Sequence, residues 1–319
     1  MKILISGFFG EDNLGDEAIL KSILRHIPDD CEVAVTSGRI LNNRAAVIRR
    51  RGLLSWPQFV RSAAECDKAI FTGGILQDWS WEGVTFFALR IIAANTFGCR
   101  PSLWGAGLGP LRRLACKKVA KKALSRCDHV WLRDCSSAEL FEQLCHQSAN
   151  LGTDWTWRHD VEWREQASSN APMALNLRQW PFVDHQTKVI KQLKYIDRKI
   201  LGIAARSSDI AQIKSAAPKA TIIKPDSFTS MATAFSNCSF ALCMRYHAAL
   251  AALRTGIAVK LIGYDDKVTT LGQDAGLKLL ENEPITGFAS ADKAFIARQM
   301  QRYHEMTDAF KSFITRETR

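Results

Sequence analysis

The sequence predicts an α/β protein built from two Rossmann-like domains that face a cleft. Short, nearly continuous apolar runs alternate with helical patterns, which is typical of parallel sheets covered by helices on both faces. The alternation weakens once near the middle of the chain and then resumes. The chain has 319 residues, 47% of them apolar, which is enough for two domains of about 150 residues each.

The first alternating set predicts an N-terminal domain over residues 1–160. Its first helix is expected over Asp16–His26, because apolar residues recur there at helical spacing. The predicted strands are Lys2–Ser6, Glu32–Thr36, Lys68–Thr72, Ser102–Gly105 and His129–Arg133, and the other predicted helices are Phe86–Phe97 and Ala115–Ser125. These strands are short and nearly continuously apolar, as expected for strands that are buried on both faces.

A polar, Trp-rich segment between Asp154 and Pro172 is the best candidate for a linker. The second alternating set then predicts a C-terminal domain over residues 171–319. Its predicted strands are Met173–Leu177, Lys199–Ala204, Ala220–Ile223, Phe240–Cys243 and Val259–Ile262. A long amphipathic helix over residues 291–313 follows, and it could pack back on the N-terminal domain.

The formal net charge of +11 predicts anionic partners such as phosphorylated metabolites, nucleic acid or an acidic membrane leaflet. The main basic clusters are Arg49–Arg51 and Arg112–Lys122, which could equally be solvated surface. No nucleic-acid-binding module is recognisable, so nucleic acid is not expected as a partner.

The nine cysteines form no Cys-x-x-Cys pair and no cluster with zinc-ligand spacing. We therefore expect free buried thiols in a reducing cytoplasm and no metal. Neither a signal peptide nor a membrane-spanning helix is predicted. The longest apolar stretch, Val84–Phe97, is short and is interrupted by Arg90.

Glycine-rich segments follow three of the N-terminal strands. The first runs from Gly7 to Glu17 and opens the first helix, so Gly7, Asn13 and Asp16 are candidate ligand contacts. Asp16 could instead simply cap the helix. The segment has neither the Gly-Lys-Ser/Thr ending of a Walker loop nor the Gly-x-Gly-x-x-Gly spacing of a dinucleotide-binding loop.

The other two glycine-rich segments are Thr72–Asp78 and Gly105–Pro110. Gly73 and Gly74 would expose backbone amides to a ligand, and Gln77 and Asp78 could bind sugar hydroxyls. The alternative is an ordinary turn between a strand and a helix. Each signal is weak alone, but three such strand ends in one domain would line one crevice.

Charged and titratable side chains follow three strands of the C-terminal domain. Arg178 comes after the first, Arg245 and His247 after the fourth, and Tyr264 and Lys267 after the fifth. An arginine suits phosphate or carboxylate, and a histidine can move a proton near neutral pH. Arg178 could also be a plain surface residue, and the histidine a structural one. Their shared place at strand ends favours chemistry on a small anionic substrate.

Seven segments together resemble the polysaccharide pyruvyl transferase family, most closely its CsaB-type members that pyruvylate bacterial cell-wall glycans. They are Gly7–Ala18 (Gly-x-x-Gly-x-x-Asn-x-Gly-Asp-Glu-Ala), Gly73–Asp78 (Gly-Gly-x-Leu-Gln-Asp), Gly107–Pro110, Arg133–Ser137, Leu177–Trp180, Met244–His247 and Tyr264–Val268. They occur in the family's order across nearly the whole chain. Thr72 stands where the family usually has a glycine, and Tyr246 where it often has leucine.

This resemblance implies a GT-B-like fold and no cofactor, with phosphoenolpyruvate as co-substrate. The product would be a pyruvate ketal on a sugar of a lipid-linked cell-surface polysaccharide precursor. The C-terminal domain would bind phosphoenolpyruvate and the N-terminal domain the glycan acceptor. The resemblance further implies a cytoplasmic location, at the inner face of the membrane with peripheral association. The sequence does not specify the oligomeric state.

The mechanism implied by the resemblance starts with protonation of the donor methylene carbon, for which His247 is the expected general acid. Arg178 and Arg245 would hold the donor's phosphate and carboxylate. Asp78 or Asp16 would orient or deprotonate an acceptor hydroxyl. Two other functions remain open: a GT-B-type glycosyltransferase that uses a nucleotide sugar, and a non-catalytic protein that binds anions or nucleic acid.

Overall fold

The computed structural model describes residues 1–40, 45–163, 170–181, 189–190, 192–193, 196–280 and 287–316. Residues 164–169 of the predicted linker lie outside this part of the chain. The chain divides into two compact units. Unit 1 comprises Met1–Glu11, Ile19–Trp157 and the chain from Gln299 onward, and unit 2 comprises Asp12–Ala18 and Arg158–Arg298. The start of the first helix thus groups with the C-terminal half of the chain.

Unit 1 contains a parallel sheet with the strand order β3-β2-β1-β4-β5-β6-β7. Its strands are β1 Lys2–Phe9, β2 Glu32–Ser37, β3 Ala46–Arg49, β4 Lys68–Ile75, β5 Arg100–Leu108, β6 His129–Leu132 and β7 Asn150–Leu151. The central strands are almost entirely buried, which explains why their sequences are largely apolar.

The first helices are α1 Leu14–Leu24, α2 Ser55–Glu65, α3 Trp81–Thr96, α4 Leu114–Leu124 and α5 Cys135–Cys145, followed by a short 3₁₀ helix over Trp155–Arg158. Helix α3 contacts both α2 and α4. Phe59 of α2, Phe87 of α3 and Ala120 of α4 belong to one apolar cluster with the strands. The N-cap residues Ser80 of α3 and Asp134 of α5 each accept a backbone hydrogen bond from the first turn.

Unit 2 contains a smaller parallel sheet with the strand order β10-β9-β8-β11-β12. Its strands are β8 Met173–Asn176, β9 Ile200–Ile203, β10 Thr221–Ile223, β11 Phe240–Cys243 and β12 Ala258–Leu261. The helices from here on are α6 Asp209–Ala216, α7 Phe228–Ser236, α8 Tyr246–Arg254, α9 Asp266–Asp274 and α10 Lys293–Thr315. Helix α8 is buried from Ala248 to Arg254, so it is the central helix of this unit.

Three strands extend into the glycine-rich segments beyond their predicted ends, and the first of them, β1, contains Gly7. Gly73 and Gly74 lie inside β4, although they are predicted to follow it, and β5 continues past its predicted end at Gly105 to Leu108. The pairing register shifts at both places, and Gly73 and Gly105 have φ angles of 74° and 61°. A glycine with positive φ lets a strand bulge and continue, so these residues belong to bulges and not to turns.

Candidate functional site

The candidate residues of unit 2 lie at one edge of its sheet. Strands β8, β11 and β12 are neighbours and run parallel, so their carboxyl ends share an edge. Arg178 follows β8, Arg245 follows β11 and Tyr264 follows β12. In open α/β sheets this edge is where ligands bind.

Arg245 is buried and paired with Asp209, the first residue of α6. Its Nε donates to one carboxylate oxygen at 2.6 Å and its Nη2 donates to the other at 2.5 Å. Its backbone N–H donates to the Asn176 side chain at 3.0 Å. The sequence predicts that this guanidinium clamps a substrate anion. Its Nε and Nη2 groups, however, already donate to the Asp209 carboxylate. Arg245 therefore orders the end of β11 and the start of α8.

His247 lies in the first turn of α8 and is half-buried. Gly15, in the first turn of α1, lies directly against it. A Cβ atom at Gly15 would come within 2.7 Å of the His247 Cβ and would overlap the imidazole ring. The imidazole ring therefore packs directly against the backbone of residue 15, which is possible only because glycine has no side chain. The structure thus brings together two segments that the sequence singled out separately.

The segment that carries Gly15 is anchored within unit 2. The backbone N–H of Leu14 donates to the Ala205 carbonyl at 3.2 Å. Asp12, which has a positive φ of 54°, accepts from Ser207 N–H at 2.9 Å and from Lys224 Nζ at 2.7 Å. Burial alone would raise the pKa of Asp12, but the hydrogen bonds from Lys224 and Ser207 outweigh it and hold the pKa well below its usual value.

Asn13 and Asp16 interact with each other in the same segment. The Asn13 amide donates a short hydrogen bond to the Asp16 carboxylate, which is almost fully buried. The two candidates therefore act as a pair, and the Asp16 carboxylate belongs to the turn of helix that supports His247.

Arg178 and Lys267 surround the ring of Tyr264. The Arg178 guanidinium lies 5.0 Å from the centre of this ring and donates to the Tyr264 hydroxyl at 3.0 Å. It also lies 4.8 Å from the centre of the Trp180 ring. The Lys267 ammonium is 5.8 Å from the Tyr264 ring and 3.0 Å from the Asp265 carboxylate. Two cations thus share one aromatic support at this sheet edge.

Unit 1 has its own cavity of about 210 Å³. Its lining combines aromatic, amide, hydroxyl and charged groups: Phe8, Arg50, Arg51, Gln77, Trp79, Ser80, Glu82, Gly83 and Phe86. The Arg50 guanidinium stacks 3.9 Å from the centre of the Phe8 ring and pairs with Glu11 at 2.9 Å. The Gln77 amide fills the space that a side chain at Gly74 would need. Aromatic faces beside amide and carboxylate groups suit a sugar ring with its hydroxyls.

Asp78 is occupied by protein groups. It accepts from the backbone N–H of Arg112 at 3.0 Å and of Arg113 at 2.7 Å, and it is paired with the Arg113 guanidinium. Burial would raise its pKa, but these hydrogen bonds lower the pKa overall. A fully covered carboxylate with a lowered pKa is a poor general base, so the structure favours a loop-anchoring role for Asp78 over the predicted catalytic one. Gly7, the remaining candidate, lies inside β1.

Sequence reasoning missed two residues that shape the site of unit 2. Asp209 carried no signal because its partner Arg245 is distant along the chain and lies on another element. The sequence marks Gly15 only as part of a glycine-rich segment, and its contact with His247 is visible only in the structure. A Gly at helical position two, where a helix former is usual, was the only local hint.

No helix in the described parts of the chain is both long enough and apolar enough to cross a bilayer. A search of curated proteins gives no match. Among solved structures, HepE from Anabaena in complex with UDP-glucose is 12% identical, with a TM-score of 0.66 over 98% of this chain and 100% of that one.

Two further structures are similar in fold. The Methanocaldococcus jannaschii UDP-GlcNAc 2-epimerase in complex with UDP-GlcNAc and UDP is 12% identical, with a TM-score of 0.58 over 97% of this chain and 93% of that one. The MnaA–UDP structure from S. aureus is 10% identical, with a TM-score of 0.60 over 96% and 91%. At such low identity these similarities show a GT-B-like α/β fold and nothing about substrates.

The sequence motifs are the more specific signal. The family model for polysaccharide pyruvyl transferases matches residues 13–266, which include the Gly15 segment, the Arg178 strand end and the Arg245–His247 strand end. This match extends over well more than half of the chain. The protein therefore belongs to the polysaccharide pyruvyl transferase family and is a transferase of polysaccharide biosynthesis.

Proposed function

We propose that this protein transfers pyruvate from phosphoenolpyruvate to a sugar and forms a ketal that bridges two of its hydroxyls. The proposed acceptor is a lipid-linked precursor of a cell-surface polysaccharide, as for the CsaB-type members of the family. The observation that carries the proposal is the close contact of the His247 side chain with Gly15. This contact lies at a sheet edge that also bears Arg178 and Lys267. A titratable group and cations at one edge suit a small, acid-labile anion.

Two features support binding of the donor in unit 2. Helix α8 begins at Tyr246, directly after the end of β11, and a helix N-terminus attracts phosphate or carboxylate. Arg178 and Lys267 add positive charge on the neighbouring strand ends. Arg245 is paired with Asp209, so it would position the start of α8 and would not bind the donor through its Nε and Nη2 groups.

In the proposed reaction, His247 gives a proton to the methylene carbon of phosphoenolpyruvate, and C2 becomes an oxocarbenium-like centre. One sugar hydroxyl then adds to C2 and loses its proton to a base. The C2–O bond to phosphate breaks, and the second hydroxyl closes the ketal while its proton leaves with the phosphate. Asp16 is the better of the two predicted carboxylates for the base, because it lies in the turn that supports His247.

The cavity in unit 1 supports an acceptor-binding role for that unit. Its aromatic faces and the Gln77 and Glu82 side chains can hold a sugar ring. Phosphoenolpyruvate is a cytoplasmic metabolite, so the reaction is proposed to take place in the cytoplasm, at the inner face of the membrane that carries the acceptor.

The test is the variant His247→Ala, which should reduce turnover by about 10²–10⁴-fold while phosphoenolpyruvate still raises the melting temperature. The exposed His304 offers a matched control, and His304→Ala should leave turnover unchanged. Turnover of His247→Ala close to that of the wild type would exclude the acid role.

A glycosyltransferase that uses a nucleotide sugar is the second candidate, because the similar structures contain UDP or UDP-sugars. Thermal-shift measurements with phosphoenolpyruvate, UDP and UDP-glucose separate the two. Stabilisation by phosphoenolpyruvate alone is expected. Stabilisation by the UDP ligands alone would favour the glycosyltransferase.

A further inference from the structure

An exposed apolar and basic surface lies around the cavity of unit 1. We call it the docking rim and define it by Arg51, Leu53, Leu54, Trp81, Arg112 and Leu114. The four apolar side chains are unusually accessible: Leu53 is 94% exposed, Leu114 76%, Leu54 53% and Trp81 49%. Arg51 and Arg112 are exposed as well.

The fold brings these residues to one edge of the sheet. Strands β3, β4 and β5 belong to one parallel sheet, and α2, α3 and α4 begin just after them. The three segments that bear the docking rim therefore emerge at the same edge. Helix α3 contacts both α2 and α4, so the three helix starts also share one face of the sheet.

Contacts around the cavity join the segments into one surface. Arg51 and Trp79 both line the cavity, which connects the α2 start to the α3 start. The Arg112 guanidinium lies 4.5 Å from the centre of the Trp79 ring, which connects the α3 start to the α4 start. Asp78 fixes the last of these loops through the backbone N–H groups of Arg112 and Arg113.

The composition of the docking rim fits one kind of partner. Large exposed apolar side chains grouped at one place mark an interaction surface. Leu and Trp side chains interleaved with arginines are suited to the interface of a bilayer, where the apolar groups enter the acyl boundary and the arginines contact lipid phosphates. Helix α4 continues the basic character with exposed Lys118, Lys121 and Lys122, and the chain carries a net charge of +11. This charge complements an anionic membrane.

We propose that the docking rim binds the surface of an anionic membrane, with the cavity of unit 1 opening toward the lipid headgroups. This surface would bring the cavity of unit 1 close to a membrane-anchored substrate. The proposal does not depend on the pyruvyl transfer reaction, because it concerns binding to lipid alone.

Vesicle cosedimentation tests it, with phosphatidylcholine vesicles that contain or lack phosphatidylglycerol. The wild-type protein should bind the anionic vesicles, and added salt should weaken the binding. The double variant Leu53→Ser/Leu114→Ser should reduce partitioning about tenfold or more, since it removes the two most exposed apolar anchors. The double variant Arg51→Gln/Arg112→Gln should reduce it by about fivefold per arginine.

Helix α3 offers a matched control. Leu89 and Phe97 are also exposed, at 50% and 46%, but lie away from the start of the helix. Leu89→Ser/Phe97→Ser should bind vesicles as the wild type does. The proposal fails if the wild-type protein does not bind anionic vesicles or if the docking-rim variants bind them as strongly as the wild type. It also fails if the control variant loses as much binding as the docking-rim variants.

An activity measurement keeps this result separate from the proposed reaction. With a water-soluble acceptor sugar, Leu53→Ser/Leu114→Ser should retain wild-type turnover, because neither residue lines the cavity. Loss of vesicle binding with normal turnover supports the docking rim. Absence of pyruvyl transfer in every variant and in the wild type would count against the proposed function and leave the vesicle result unaffected.

Discussion

At the residue scale, the central feature is the dependence of His247 on Gly15. The imidazole occupies space next to α1 that any side chain at residue 15 would fill. Arg245, two residues before His247, is held by a buried carboxylate on α6. The candidate acid is therefore positioned from two sides, and neither supporting group needs to touch substrate.

We predict that Gly15→Ala reduces turnover by about 10²-fold or more, because the imidazole must move by an ångström or more. Folding should survive, since alanine favours the helix by about 1 kcal/mol over glycine. Steady-state kinetics and a thermal melt measure the two effects. Gly272→Ala is the matched control, since Gly272 lies in α9 and has no neighbour closer than 3.3 Å to the added carbon. Wild-type turnover in Gly15→Ala would contradict the positioning role.

At the element scale, the C-terminal end of α10 is attached to β4 through Lys68. This buried ammonium donates to the Phe313 carbonyl oxygen. It also donates to the carbonyl oxygens of Ile314, at 3.1 Å, and of Arg316, at 2.8 Å. The last carbonyls of a helix have no partner within the helix, and a cation there also interacts well with its dipole. Burial lowers the pKa of Lys68. Phe310 and Phe313 of the same helix pack against Trp104 of β5.

Replacing this lysine by methionine keeps the apolar stem but removes the donors. We predict that Lys68→Met lowers the free energy of unfolding by about 1–3 kcal/mol, because buried carbonyls lose their partner. Denaturant unfolding gives the total, and hydrogen exchange should show faster opening of the last turn of α10. Lys118→Met, at an exposed position of α4, should change stability little. Equal unfolding free energies for the two variants would exclude the anchoring role.

At the scale of the whole molecule, buried free thiols couple stability to alkaline pH. Burial raises the pKa of Cys66 and of Cys238 to about 12, and it raises the pKa of Cys99 and Cys243 as well. In the unfolded chain these thiols ionise from about pH 8.5 upward, whereas in the folded protein they stay protonated. Their contribution to stability is therefore complete below that pH and is lost as the pH rises toward the folded values.

We predict that the melting temperature falls as the pH rises from about 8 to about 10.5, with each thiol contributing at most about 1.4 kcal/mol per pH unit. The double variant Cys66→Ala/Cys238→Ala should show a shallower dependence, whatever its absolute stability. An unchanged slope would mean that other groups control the alkaline transition.

Local pattern was enough to predict the class of fold and most of its elements. Apolar runs identify parallel strands because both faces of such strands are buried, and the predicted span Phe240–Cys243 is the observed β11. Strands β3 and β7 and helices α2, α5, α6, α7 and α9 are not among the predicted elements, and β3 and β7 are short edge strands with exposed positions. The motif positions at strand ends were also readable, since glycine, arginine and histidine are conspicuous after apolar runs.

The sequence by itself determined the parallel α/β architecture and the family, which follow from local periodicity and from motifs in a fixed order. Only the tertiary structure decided which partner each charged group takes: Asp209 for Arg245, two backbone amides for Asp78, and the bare backbone of Gly15 for His247. Such pairings depend on how distant segments cross in space. Local residue preferences do not specify which distant segments come into contact.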